Sequence, residues 1–279
     1  MKLKLIISVL IFLILVSAIF IFFQQTQQSK LPVYWEVWSG QDFRGYVVPS
    51  IHVSRYSYKN HIAELIKNVD IIALEVDLKE PNNLTAEGQN IELTLSENST
   101  TFFKTLFGNQ TWETLRTKKP GIIFSYVLNR FAAEHGMINK MDLDAMKIAT
   151  ENGKQLVGLE KLESQIIFIV NDTYQSEWLN RLEWISQNYF WLITELDLLD
   201  IFYKKGDPEG FKELYKLIGE NSTVVKDEQT LRDPVLQKRS KEILKENKAL
   251  VMVGAVHVQG VLDFLKTDFN LKEVGSSNT

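Results

Sequence analysis

The chain has 279 residues, 45% apolar and 24% charged, which is ordinary for a globular protein with a sizeable core. A net charge of −4 and the lack of any long basic run argue against nucleic acid as a partner. There is no cysteine, so disulfides and thiolate metal sites are excluded, leaving His, Asp and Glu as strong ligands.

At the N-terminus, Lys2 and Lys4 precede an uncharged stretch of nineteen residues, 5–23. As a helix it is roughly 28 Å long, close to the thickness of a hydrocarbon core. It runs into Phe22-Phe23-Gln24 with no A-x-A-like cleavage site, so an uncleaved signal-anchor is expected; cleavage would instead release a secreted domain. The lysines place the N-terminus inside and the domain on the extracytoplasmic side of the cell membrane. Five N-x-[ST] triplets, at Asn83, Asn98, Asn109, Asn171 and Asn221, fit an exported, glycosylated domain and fit chance as well. The expected organisation is a transmembrane helix over 1–23, a polar tether over 24–32 and a single domain over 33–275.

"VYWEVWS" and "RGYVVPSIHV" alternate, predicting a hairpin around Gly40 to Arg44. "SYKNHIAELIKNV" follows at helical spacing (Ile62, Leu65, Ile66, Val69), and "DIIALEVDL" returns to strand. A polar insertion runs to about 98, with helices expected near 100–107, 111–117 and 120–134. "MDLDAMKIATENGK" is a helix closed by Asn152-Gly153, and "QLVGLE" is a short buried strand. From about 174 to 203 one helical face carries Trp178, Leu182, Ile185, Tyr189, Leu192, Leu196 and Leu199; Trp178, Trp184 and Trp191 read as core. Helices are expected at 208–219 and from Asp233-Pro234, with proline at the first helical position. "ALVMVGAVH" is a strand buried on both faces, ending at His257. The helix "GVLDFLKTDF" and the strand "LKEVG" close the chain. Strands separated by helices predict an α/β fold: a central, mostly parallel sheet flanked by helices, with a large helical insertion between 80 and 248.

Polar residues gather at strand ends. "YVVPSIH" ends at His52, "IIALEVD" carries Glu75 and Asp77, "QLVGLE" ends at Glu160, and "LVMVGAVH" ends at His257. If these strands are parallel neighbours, all four groups converge on one rim, where ligands bind in open α/β sheets. Glu75 lies deep in an apolar run, and an unpaired carboxylate there costs several kcal/mol, on the order of 2–7 even for a neutral polar group. It needs a metal, a cation or a hydrogen-bond network. A histidine at a strand end can equally be a satisfied boundary residue, and Glu160 and Asp77 can cap the following helices. Arg239 reads either as a surface residue or as the buried partner of Glu75, and His61 and His135 as exposed.

In order along the chain stand "PSIH" (49–52), "LEVD" (74–77), "GLEKLESQ" (158–165), "YKKGD" (203–207), "KRS" (238–240) and "GAVH" (254–257). This ordered set, spanning about 33–275, resembles the TraB/PrgY/GumN family, which includes the Tiki extracellular metalloproteases. The family shows two G-x-x-H motifs; here Pro49 replaces the first glycine, and Ser240 stands where the family often has asparagine. The resemblance implies His52, His257 and Glu75 as metal ligands.

The leading expectation is a membrane-anchored, metal-dependent peptidase. A divalent ion (Zn, Mn or Co) held by His52, Glu75 and His257 would polarise a peptide carbonyl and lower the pKa of bound water. Glu160 or Asp77 would be the general base, and Arg239 would stabilise the oxyanion or orient Glu75. The alternative is a non-catalytic protein that sequesters a peptide signal or a metal-containing ligand. The altered first motif favours that rival. A structural envelope protein with a satisfied polar cluster is a third reading.

Overall fold

A computed structural model describes residues 31–76, 86–207, 210, 213, 216 and 222–275. The anchor expected over 5–23 and Asp77 lie outside the described residues, as does the helix expected at 208–219 except at Gly210, Glu213 and Lys216. Among the described residues no helix is long and apolar enough to cross a membrane.

The hairpin forms as expected: β1 (Tyr34–Ser39) turns at Gly40, φ +62°, into β2 (Asp42–Ser50). Helix α1 (Lys59–Lys67) leads to β3 (Ile71–Val76). Four helices follow: α2 (Glu97–Phe107), α3 (Asn109–Leu115), α4 (Pro120–Glu134), with proline at its start, and α5 (Met141–Glu151). After β4 (Gln155–Glu160) come α6 (Leu162–Val170) and the long α7 (Gln175–Lys205). Then α8 (Thr223–Glu246), β5 (Ala249–Gly254), α9 (Ala255–Leu265) and β6 (Asn270–Val274) complete the described chain.

The six strands make one sheet in the order β4-β3-β5-β2-β1-β6. The first four are parallel, and β1 and β6 extend the sheet antiparallel. Strand β5 shows why its sequence is apolar throughout. Leu250 and Met252 pack into one cluster with Val48, Ile62, Ile66 and Ile72, below α1 and α5. Ala249, Val251 and Val253 pack on the opposite face with Val47, Leu236, Leu244, Val261 and Leu265, below α8 and α9. Both faces of the strand are covered, so its side chains, alternating with a period of two, must all be apolar. Each such Val or Leu contributes roughly 1.5–3 kcal/mol of burial. A third cluster, Phe103, Trp112, Ile123, Val127, Leu182 and Ile185, holds the helical insertion together.

Several expectations are corrected. Helix α8 does not begin at Pro234; its N-cap is Ser222, whose hydroxyl accepts from the Val225 N–H, and Pro234 sits inside it. The proline reads as a start signal because it lacks an N–H, but a capping serine twelve residues earlier sets the boundary. The strand ends at Gly254, not at His257, which falls in the first turn of α9. Of the three tryptophans only Trp178 is core; Trp184 and Trp191 are exposed. Trp184 falls off the buried stripe of Trp178, Leu182 and Ile185, and beyond it α7 kinks at Asn188, φ −130°, where the side-chain amide donates to the Trp184 carbonyl at 2.9 Å. His135 is exposed, but His61 is half-buried and accepts the Leu31 N–H at 2.8 Å.

Candidate functional site

The parallel register brings the strand-end residues to one rim. Ser50 lies opposite Gly254 in the β2–β5 ladder, and Ala73 opposite Val251 in the β3–β5 ladder. His52 and His257 therefore follow the ends of adjacent strands, with Glu75 on the next strand and Glu160 closing β4, one strand further out.

Glu75 is 5% exposed and fully partnered. Its Oε1 accepts the Gly254 N–H, and its Oε2 accepts from Arg232 Nη2 at 2.7 Å and Gln165 Nε2 at 3.2 Å. Burial pushes this carboxyl up, but the imidazoles of His257 and His52, the Arg232 guanidinium and the Gly254 N–H outweigh it, and the net shift is down. Gly254 owes its identity to this contact. Its φ of −50° suits any residue, but a Cβ there would lie 2.7 Å from Glu75 Oε1. Gly254→Ala should then cost about 1–3 kcal/mol, the desolvation of a buried carboxylate pushed off its donor. Thermal unfolding measures it, and a loss below about 0.5 kcal/mol would show that the contact carries nothing.

Arg232, not Arg239, is the cation that holds Glu75. Arg232 is 3% exposed and also binds Glu160, Nε to Oε1 at 2.8 Å, and Glu228 one helical turn earlier. Burial lowers its pKa, and the hydrogen bond to Glu160 and the charges of Glu75, Glu160 and Glu228 more than reverse that, so it stays charged. Arg239 lies two turns further along α8 (about 3.6 residues each), half exposed and paired with Glu242 at 3.1 Å, so it cannot reach Glu75's buried face. Glu160 is turned to Arg232 and caps nothing; α6 begins behind Lys161 with no side-chain cap. Burial raises the Glu160 pKa above its ordinary value, and Glu75 adds to this while Arg232 opposes it. Its Oε2 is buried without a hydrogen-bond partner.

Each rim histidine is held through Nδ1 by a carboxylate. His257 is 4% exposed and engages Asp233 at 2.6 Å; His52 engages Asp142, in the first turn of α5, at 3.0 Å. The Asp142 bond raises the His52 pKa to about 9 against the opposing effect of burial. The His52 side chain itself is 67% exposed, so solvent screens that pair. A carboxylate on Nδ1 leaves Nε2 as the free nitrogen, the arrangement found around metal-ligating histidines. Each imidazole by itself therefore has the donor chemistry of a metal ligand. Glu75 does not complete the set as it stands, because Arg232 already neutralises it; among the described residues no group of three or more His, Asp or Glu is placed to hold a metal.

Beside Glu160, along the outer side of β4, runs a cleft of about 550 Å³ lined by Leu156, Val157, Glu160, Ser164, Val235 and Arg239. Pro49, at the other end of the rim, is two residues past the last β1 pairing at Val47, though it still lies opposite Val253 in the β2–β5 ladder. Its carbonyl accepts the Tyr203 hydroxyl at 2.7 Å.

Sequence reading missed Arg232, Gln165, Asp142 and Asp233. The i, i+4 pair Glu228–Arg232 was the available signal, and the proline beside Asp233 obscured it by suggesting a helix start.

A family model, described as the TraB/PrgY/gumN family, matches residues 33–268. No curated protein and no solved structure matches the chain.

Proposed function

The chain belongs to the TraB/PrgY/gumN family, and from that premise we propose a membrane-anchored, extracytoplasmic, metal-dependent peptidase working at the rim between His52 and Glu160. The observation that supports it is the pair of histidines just past the ends of adjacent strands, each tied through Nδ1 to its own carboxylate. They would hold one divalent ion (Zn, Mn or Co) through Nε2, and when bound it would supply Lewis-acid polarisation of a peptide carbonyl.

The chain's own residues do the rest. Glu160, with its raised pKa and unpartnered Oε2, is suited to take and return a proton. Arg239 shares the cleft with Glu160 and would orient the substrate carbonyl. Glu75 fixes the Gly254 backbone and Arg232, and so positions His257 and Glu160. The N-terminal apolar stretch would tether the domain to the membrane.

The engagement of both Glu75 oxygens by donors favours a second reading, a non-catalytic protein that sequesters a peptide signal or a metal-containing ligand. Elemental analysis of the full-length chain in detergent, combined with turnover of a peptide library, separates the two. The enzyme reading expects near-stoichiometric divalent metal and turnover that a chelator abolishes and reloading restores. Metal affinity should also rise with pH until it levels off near 9, because a proton on His52 competes with the ion. A metal-loaded protein that cleaves nothing would leave the sequestering reading.

A further inference from the structure

We infer that the outer edge of β4 is the docking rail for an extended peptide segment carrying an acidic side chain, which adds to the sheet as a further strand. The inference rests on the peptide-acting reading above and names how the peptide is held. Among the described residues β4 is the terminal strand of the sheet and pairs with β3 alone. Along an edge strand, a row of backbone N–H and C=O groups faces outward. Proteins blunt such edges with lysine, proline or a bulge; "QLVGLE" has none of these, and the register of β4 on β3 is unbroken from Gln155 to Gly158. Instead the edge opens into the 550 Å³ cleft. Residues 155–158 are exposed or half-buried, while Leu159 and Glu160 are buried, so accessibility runs out where the rim chemistry begins. Gly158 lines this cleft, and a glycine within a strand admits close approach by a second backbone.

Main-chain pairing gives affinity without choosing sequence, and side-chain pockets choose it. Here the cleft places Lys161 and Arg239 around Glu160. Glu160 is turned to the buried Arg232 and pairs with it, so it is not the partner of those two cations. A carboxylate on the peptide complements Lys161, and at Arg239 it would compete with Glu242, which pairs with that guanidinium at 3.1 Å. A peptide paired along β4 would present its backbone beside Glu160, at the end of the strand.

The test uses the full-length chain in detergent and a fluorescent, threonine- and valine-rich peptide with one central aspartate. Its controls are the same peptide N-methylated at alternate amides, and its asparagine analogue. Anisotropy should show saturable binding that N-methylation weakens about tenfold or more, as loss of two backbone hydrogen bonds requires. Hydrogen exchange should slow at the amides of 156–160. Lys161→Ala with Arg239→Ala should weaken the aspartate peptide about fivefold and the asparagine peptide little. No binding, or binding indifferent to N-methylation without protection in β4, overturns the rail. Cleavage under that outcome would leave the peptidase reading standing. Binding with protection in β4 but without cleavage would keep the rail and remove the peptidase.

Discussion

Replacing Arg232 with alanine should destabilise the fold by about 3–5 kcal/mol, the usual cost of breaking a buried ion pair from one side. The reason lies in what is left behind. Glu75 and Glu160 have almost no solvent access, and Arg232 supplies Nη2 to the first and Nε to the second. Without it, two carboxyl groups share a buried pocket with no cation between them. Arg232→Lys keeps the charge but loses the planar fork that reaches several acids at once, so it should recover only part of the loss. Arg232→Met combined with Glu75→Gln and Glu160→Gln should be more stable than Arg232→Ala alone, since it removes the stranded charges. Thermal unfolding of the four proteins checks the order. An Arg232→Ala protein within about 1 kcal/mol of wild type would show that water, not the guanidinium, satisfies these acids.

His257→Ala should abolish stoichiometric divalent metal and, with it, peptide turnover. Asp233→Asn should keep the ring in place yet weaken metal binding by about 10–100-fold, the usual effect of losing the group that orients a ligand. The contrast between the variants is what matters. A buried histidine that is only structural would give two proteins differing in stability but not in metal content. His52→Ala tests the other proposed ligand with less risk to the fold, because His52 is largely exposed. Elemental analysis after dialysis against excess metal decides: retention of metal by both histidine variants would remove the two-histidine site.

The apolar strands announced the sheet and its parallel part, because a strand covered on both faces must be apolar at every position, as β5 is. The four rim residues were legible for the same reason: a polar group interrupting such a run is conspicuous. Their partners were not. Arg232 and Asp233 sit on a helix whose charges look like any solvated face, and only the docking of α8 over β3 and β4 turns that face inward. Asp142 reads as an ordinary first-turn acid until α5 packs beside His52. Long-range pairing between separated elements leaves no local pattern, and this is why Arg239 was the wrong arginine.

Strand β1 lies between β2 and β6, antiparallel to both, with Tyr34 opposite Val274 at one end. Hydrogen bonds in such ladders run across the strand, so a pull on the chain along β1 from residue 31 would shear both ladders together instead of opening them one bond at a time. The backbone near Gly275 also crosses close to Pro32. The described domain is therefore gripped, at its N-terminal end, by the geometry that best resists mechanical extraction. Tension applied at residue 31 would be spent against β2 and β6 before it reached the rim.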